Sequence, residues 1–553
     1  MTTTRLELVW PGKDKFLLVP KDETGKPIWV ERDHPAASEV RLADFGGFVG
    51  EVPEDPYAAN LLFTGDSLDV LRILCEVPEY RAIYRGKVKL VYIDPPFNTG
   101  QAFEHYDDWM EHSTWLSFMR ERLLLIRDLL APDGSVWVHL DDAEPHRMRL
   151  LMDEVFGAQC FIANVVWQKK YSRDNRPAIG PVHDHLLVYA PLGSRWKAVR
   201  NRIARVGAKE YRNPNNDPRG PWRPIPMDVQ GGHATASQFY DVVTPSGRVV
   251  RPANGRAWSV TETVMHAMRE RGELYFGLKG DGMPNTIRYL ADDEGLVPWT
   301  WWPHDETGHT DEAKKEIVGL FGSGSVFATP KPERLIERIV HIGSNTDDIV
   351  LDCFAGSGTT AAVAQKMGRR WVTSEILPST VEQFTLPRLT KVVAGEDPGG
   401  ITKSAGWEGG GGFRTVTVGP SMYEDTPFGV LLAEWATNGR FARAVAGQLG
   451  FEFKDDAPPL CGVRGRMRLA VVDGTVGPEE IRQVVGALGE KERVTIVAKS
   501  VLPEAESTLA EVSPGSRIRK APRDLLTSGA RRMRRRTEVS PRHTGEATEG
   551  SGA

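Results

Sequence analysis

The chain lacks the features that mark several large protein classes. Its 553 residues include four cysteines, Cys75, Cys160, Cys353 and Cys461. They stand too far apart to form a metal-type pair or a disulfide framework. No apolar run is long enough to cross a bilayer, so no membrane role is expected. The opening Met1-Thr2-Thr3-Thr4-Arg5 leads into a short, charge-broken segment unlike a signal peptide. A cytoplasmic setting is the expectation. There is no internal repeat, no phosphate loop ending in Gly-Lys-Ser/Thr, and no helicase or nuclease motif. Uniform positive charge is also missing: 69 Lys and Arg face 74 Asp and Glu, a net charge of −5. That argues against a uniformly basic nucleic-acid binder. A hydrophobic content of 40% and a charged content of 26% fit a soluble globular protein of about two to four domains.

Positive charge is instead local. Between Gln168 and Arg223 there are 13 Lys or Arg against 4 Asp or Glu, and between Ser513 and His543 there are 10 against 2. The second zone holds the run Arg531-Arg532-Met533-Arg534-Arg535-Arg536. A charge run is commonly just a solvated face. Two basic zones within an acidic chain favour a polyanionic partner.

The apolar pattern divides the chain into six stretches. Residues 1–58 read as a Pro-rich, irregular arm. Residues 59–190 alternate strand and helix, as in a parallel, doubly wound sheet. The rhythm stops over 191–326, a stretch rich in Arg, Pro, Gly and Asn that reads as an inserted domain and linker. It resumes over 327–412 and halts at Gly409-Gly410-Gly411-Gly412. Residues 413–527 form a further α/β unit with strands at Arg468 to Val472 and Arg493 to Ala498. Residues 528–553 read as a basic, disordered tail.

Two strand ends carry the chemistry. Leu90-Val91-Tyr92-Ile93 reads as a buried strand and runs into Asp94-Pro95-Pro96-Phe97. The prolines stiffen the turn and remove two N–H donors. A carboxylate, free carbonyls and a flat ring then stand together at the end where open α/β sheets bind ligands. Such a set suits an exocyclic amine on a planar heterocycle, although a simple turn with an Asp cap and a core Phe is the bland alternative. The second strand, Ile349 to Phe354, leads into Ala355-Gly356-Ser357-Gly358-Thr359-Thr360 and a helix. A following strand ends at Glu375, spaced to reach ribose hydroxyls. Gly356-x-Gly358-x-x-Ala361 also fits the dinucleotide fingerprint, so a nicotinamide oxidoreductase is a rival. Asp352 favours a cationic ligand over a pyrophosphate.

Together the two motifs resemble those of the amino-methyltransferases of DNA. That family joins an Asp/Asn/Ser-Pro-Pro-Tyr/Phe turn to a Phe-x-Gly-x-Gly loop, here Phe354-Ala355-Gly356-Ser357-Gly358. The turn precedes the loop with a basic segment between them, which is similar to the circularly permuted β arrangement. Asp94-Pro95-Pro96-Phe97-Asn98-Thr99-Gly100, Phe327-Ala328-Thr329-Pro330-Lys331-Pro332, His183 to Ala190, Gly65-Asp66 and Leu6 to Lys13 resemble type III modification subunits. The likeness covers about residues 5–415 and leaves the C-terminal unit unaccounted for.

The resemblance implies a Rossmann-like methyltransferase sheet, S-adenosyl-L-methionine as cofactor and double-stranded DNA as partner. It also implies a homodimer, and a helicase/nuclease restriction subunit as a further partner. Asp94 rather than Ser points to adenine N6; cytosine N4 methylation is the alternative, and a DNA-binding assembly subunit is another. In this reading 59–190 is the catalytic half, 191–326 the target-recognition domain and 327–412 the cofactor half. Asp94, Pro95, Pro96 and Phe97 form the catalytic turn. Asp66, Asp94, Thr329, Lys331, Asp352, Phe354, Ala355, Gly356, Ser357, Gly358, Thr359 and Glu375 are cofactor candidates. Arg212, Arg219, Trp222 and Arg223 are DNA candidates, and the Arg531 to Arg536 run suits non-specific phosphate contact. His304, Asp305 and His309 lack a convincing ligand spacing, and no metal is expected. Phe97 stands where Tyr is commoner, which keeps the stacking face and loses a phenol.

Overall fold

The computed structural model describes residues 7–19, 26–99, 102–103, 106–107, 110–173, 177–205, 210–213, 216–323, 327–427 and 429–527. The expected disordered tail and its Arg531 to Arg536 run lie outside these residues. The chain forms two compact units. One is Arg202–Pro298; the other joins Met1–Asn201 to Trp299–Ala553.

The larger unit is built on a ten-stranded mixed sheet. In chain order its strands are β1 (Ala43–Gly50), β2 (Asn60–Thr64), β3 (Val88–Ile93), β4 (Leu130–Leu140) and β5 (Phe161–Gln168). They continue with β6 (His183–Tyr189), β7 (Trp301–Trp302), β8 (Ile349–Asp352), β9 (Arg370–Glu375) and β10 (Gly412–Val418). Across the sheet the order is β7-β5-β6-β4-β3-β8-β9-β2-β10-β1. β6 runs antiparallel to both neighbours, and β1 antiparallel to β10. The central strands β4, β3, β8, β9 and β2 are mutually parallel. From β3 the chain moves to β4 on one side, through the helix His112–Leu129. From β8 it moves to β9 on the other side, through the helix Thr359–Lys366. Right-handed crossovers in opposite directions put their helices on opposite faces. The boundary between β3 and β8 is therefore a topological switch point, where α/β sheets bind ligands.

These strands form because their sequences are nearly continuous apolar runs. Leu90, Val91, Tyr92 and Ile93, and Val350 and Leu351, are all buried, as strands covered on both faces require. Register shifts between Val88 and Leu90 opposite β4: Val88 faces Leu130, and Leu90 faces Ser135. Pro132-Asp133-Gly134 is accommodated in that bulge.

Three boundaries differ from the sequence reading. The 1–58 arm is not wholly irregular: it contributes the edge strand β1 and a two-stranded ribbon, Phe16–Val19 with Ile28–Val30. The glycine run does not end the main sheet, since Gly412 opens β10, which lies between β2 and β1. The inserted unit spans Arg202–Pro298 rather than 191–326, because Trp301 and Trp302 already pair with Val166 and Trp167 on the main sheet. Trp302 is fully buried against Trp137, ring centroids 5.9 Å apart, whereas Trp299 and Trp301 are exposed.

Among the described residues the C-terminal unit carries a five-stranded sheet, Glu452–Ala457, Leu460–Arg464, Met467–Val476, Arg493–Val501 and Arg517–Lys520, and a two-stranded ribbon, Tyr423–Thr426 with Gly429–Leu432, where the sequence pattern indicated two strands. Phe441, Val445, Leu469 and Val497 form its core, which also takes in Leu42 of the N-terminal arm.

Candidate active site

Asp94 and Asp352 end the adjacent strands β3 and β8 and open into one cavity of about 390 Å³. Asp66, Pro95, Pro96, Phe97, Thr329, Lys331, Phe354, Ala355, Gly356, Ser357, Thr359 and Glu375 also line it. Gly358 does not; its φ of 80° makes it the left-handed N-cap of the helix Thr359–Lys366, a conformation open to glycine. The other loop glycine, Gly356, has φ 50° and would press a Cβ to 3.1 Å from Phe327 Cζ.

The turn after β3 is locked from outside. Trp115 Nε1 donates to Pro96 O at 2.8 Å. Asn98, in the left-handed region at φ 63°, accepts from Met110 N at 2.7 Å and donates to Glu144 Oε1 at 2.7 Å. Glu144 is itself fully buried. No donor among the described residues reaches the Pro95 carbonyl, which lies between the two prolines where no local N–H is available. Asp94 divides its carboxylate. Oδ2 accepts from Lys331 Nζ, while Oδ1 is buried and has no hydrogen-bond partner among the described residues. A buried acceptor without a donor carries a desolvation cost of about 1–3 kcal/mol, which an amine arriving in the cavity would offset.

Phe97 is half-buried. Its ring lies 5.8 Å from the His139 ring at an interplanar angle of 25°, and Lys331 Nζ lies 5.1 Å from its centroid. His139 is fully buried between Tyr92 Oη at 2.9 Å and Asp184 Oδ2 at 3.2 Å. Burial pushes the imidazole below its ordinary pKa, and the nearby Lys331 charge adds to this. Burial alone would raise Asp184, but the hydrogen bond and charge of His139, with Lys169 at 2.5 Å, hold it at about 2. This column beneath Phe97 was not legible as functional; the sequence showed only a His and several acids near strand ends.

On the β8 side, Asp352 accepts from Phe354 N at 2.9 Å. Desolvation raises its pKa to about 7 against the lowering effect of Thr360 and the Phe354 N–H, and the charges of Asp94 and Glu375 add to the rise. Glu375 accepts from Gly356 N at 3.0 Å and Leu377 N at 3.1 Å, so it also holds the glycine loop. Asp66 caps the helix Ser67–Glu76 by accepting from Leu68 N at 2.7 Å, and takes both 2.9 Å bonds from Arg122 Nη2. Phe118 and Phe354, centroids 6.2 Å apart, give this end an aromatic wall. Phe118, Tyr92, Phe327 and Ile376 line the cavity too. None was a sequence candidate for the site; Tyr92 on a strand and Phe118 on a helix look like core until the fold opens a space beside them. Below the loop, Arg388 donates to Thr359 Oγ1 at 2.8 Å and Glu333 Oε1 at 2.8 Å, and Lys366 Nζ bonds Glu333 and Asp397.

Among the described residues the charged lining of the cavity is Asp66, Asp94, Asp352 and Glu375 against Lys331. Carboxylates in that excess suit a ligand bearing positive charge, such as a sulfonium and an ammonium. They repel the pyrophosphate that the nicotinamide reading requires.

The four DNA candidates belong to the inserted unit. Arg212 and Arg219 are exposed. Arg219 pairs with Asp217 at 3.3 Å and lies 4.1 Å over the Tyr289 ring. Arg223 is half-buried beside Tyr211, 5.3 Å from its ring centroid. Trp222 corrects the sequence reading. It is 4% exposed, meets Tyr275 edge to face at 4.8 Å and pairs with Tyr289 in the small sheet. Its indole is core and offers no face to a base.

The comparisons with known proteins agree with this geometry. The chain is 31% identical over 390 residues to the Mod subunit of the type III restriction-modification enzyme StyLTI of Salmonella typhimurium, covering 62% of this chain and 58% of that protein. It is 29% identical to the probable HindVI Mod subunit of Haemophilus influenzae, covering 68% and 57%. It is 27% identical to the type II methyltransferase M.EcaI of Enterobacter cloacae, covering 66% and 74%. The chain thus spans little more than half the length of the first two relatives. A family model described as DNA methylase, for N6 and N4 methyltransferases, matches residues 88–385, more than half of the 553 residues. That match runs from the start of β3 to beyond β9, takes in both aspartate-bearing strand ends, and makes the chain a member of the N6/N4 DNA methylase family.

Proposed function

We propose that this chain is a site-specific DNA methyltransferase that moves a methyl group from S-adenosyl-L-methionine to N6 of an adenine flipped out of duplex DNA. The observation that carries the reading is Asp94, at the switch point, with one buried carboxylate oxygen lacking a donor in the same cavity as Asp352. The relatives named as Mod subunits support a role in a prokaryotic restriction-modification or defence system. On the same grounds a restriction subunit is a proposed partner; a second copy of the chain is proposed on the family resemblance alone. The Arg202–Pro298 unit, with exposed Arg212 and Arg219, is the proposed reader of the target sequence.

The residues fit the cofactor through their charge. Asp352 would face its positive end, Glu375 the ribose, Asp66 and the Phe118–Phe354 wall the adenine, and Thr329 and Lys331 the methionine end. When bound, the cofactor supplies an electrophilic methyl group. The remaining work falls to the chain. Adenine N6 is a weak nucleophile because its lone pair is delocalised into the ring. The Asp94 carboxylate and the Pro95 carbonyl accept the two N6 hydrogens, draw the lone pair out of conjugation and stabilise positive charge developing on nitrogen. Phe97 supports the flipped base by its face. His139 and Asp184 hold that ring in plane, so the chain contributes orientation more than basicity.

The test is nucleoside mass spectrometry of plasmid methylated by the protein. N6-methyladenine is expected; N4-methylcytosine would overturn the adenine assignment. Asp94→Ala should abolish transfer while calorimetry still detects cofactor binding. Near-normal transfer by that variant would sink the mechanism.

A further inference from the structure

A second group of ligand-bearing side chains lies outside the cavity. Asp142 follows β4, and His183 and His185 alternate along the start of β6, so both imidazoles face the same side of the sheet. One ligand atom from each of the three lies within 4.8 Å of the others. Asp142 Oδ1 is 3.0 Å from His185 Nε2 and 3.6 Å from His183 Nε2. Two ligand atoms bound at about 2.1 Å to one ion, at an angle of about 90–120°, stand about 3.0–3.6 Å apart. Both carboxylate–imidazole spacings fall in that range.

The surroundings favour the same reading. The Asn164 side-chain amide lies 3.1–3.2 Å from His185 Nδ1. It occupies one ring nitrogen and leaves Nε2 toward Asp142, as the outer partners of metal-bound imidazoles do. The Asp142, His183 and His185 side chains are 57%, 32% and 15% exposed, so an ion there would keep water ligands. Two imidazoles with one carboxylate select transition metals over magnesium or calcium, which prefer all-oxygen sets.

We infer that Asp142, His183 and His185 bind one divalent transition metal ion of the zinc or nickel class. The ion ties the segment after β4 to the start of β6. Asp184, between the two histidines, points to the opposite face and holds His139 beneath Phe97. A metal on its two neighbours therefore stiffens the strand that supports the stacking ring. The inference stands on these ligands alone and does not depend on the methyl-transfer reading.

The test uses full-length protein without a polyhistidine tag, stripped with chelator. Zinc is titrated by calorimetry, and cobalt(II) by visible absorption. The chain has 13 histidines, so the comparison with variants decides. Wild type should show one tight zinc site, a cobalt d–d band and a higher unfolding midpoint with zinc. The His183→Ala/His185→Ala double variant should lose the band and weaken zinc binding by more than about 100-fold, beyond the loss caused by removing an outer partner. Asp142→Asn, an exposed change that leaves the fold intact, should weaken it as well. Equal zinc affinity in wild type, Asp142→Asn and the double variant would overturn the site and leave only a histidine–aspartate ion pair.

Discussion

Lys331 and Asp94, 237 positions apart in the chain, form an ion pair in the floor of the cavity. The same ammonium lies 5.1 Å from the Phe97 ring centroid. It therefore sits against both the acceptor and the ring that the proposed reaction assigns to the base. The amine can take the free Oδ1, but a base stacked on Phe97 and this ammonium compete for the space over the ring, and the ammonium has to move for the base to dock. The carboxylate of a zwitterionic cofactor gives it somewhere to go.

Cofactor should accordingly promote base docking in the wild type. With 2-aminopurine at the mapped target adenine, fluorescence enhancement should require a non-reactive cofactor analogue. Lys331→Met keeps most of the aliphatic stem and removes the charge, so the enhancement should appear without the analogue while cofactor affinity falls. Enhancement in cofactor-free wild type equal to that of the variant would refute the competition.

Cofactor affinity should depend on pH through Asp352. Desolvation, with Asp94 and Glu375 nearby, lifts its pKa to about 7. A cationic ligand prefers the ionised form, so affinity should rise with pH and level off above about 7. Below that it should fall by up to about tenfold per unit. Calorimetry between about pH 5.5 and 7.5 checks the slope. Asp352→Asn should bind weakly with no slope, and a sloping profile in that variant would assign the dependence to another group.

What the sequence made legible was local. Prolines after Asp94 and glycines after Phe354 announce tight turns, because φ restriction acts within a few residues. Both turns lie where their apolar strands end. What stayed hidden was pairing across distance. Nothing in Arg122 marks it as the partner of Asp66, 56 residues earlier, and nothing in Lys331 marks Asp94. Those contacts follow from strand order, which places β3 next to β8. Trp222 misled for the same reason: a Trp beside Arg and Pro looks like a stacking surface until Tyr275 and Tyr289 cover it.

Stability should fall as pH rises through the titration of Glu316. Desolvation, then the charge of Glu333, lifts its pKa from an ordinary 4.5 to about 8. Glu316 Oε2 also accepts from Glu333 N at 3.2 Å. Below about pH 4.5 the group is protonated in both folded and unfolded chains, and its stabilising contribution is fully present. Between 4.5 and 8 the unfolded chain releases a proton that the folded chain keeps, so unfolding gains ground with each pH step. Above about 8 the fold carries the charge and the contribution is lost. Glu316→Gln should remove this dependence, its unfolding midpoint gaining on wild type as pH rises. Parallel midpoint curves from about pH 5 to 9 would show that Glu316 does not titrate as described.

The inserted unit offers a separation between folding and DNA contact. Trp222 fills its core, so Trp222→Ala should cost about 3–5 kcal/mol within that unit. Hydrogen exchange over Arg202–Pro298 should rise, and DNA binding should fall for every sequence as the unit opens. Arg212 is exposed and joins the unit through its backbone, pairing with Trp222 at 2.9 Å in both directions. Arg212→Ala should leave exchange unchanged. If its guanidinium meets a phosphate, the salt dependence of DNA binding should drop by about one counterion, without a change in target preference. If it reads a base, methylation mapping should show relaxed preference at one position of the target, at a cost of about 1–3 kcal/mol there. An Arg212→Ala protein with unaltered affinity, salt slope and target profile would remove this residue from the interface and leave Arg219, which Asp217 and Tyr289 hold in place, as the next arginine to test.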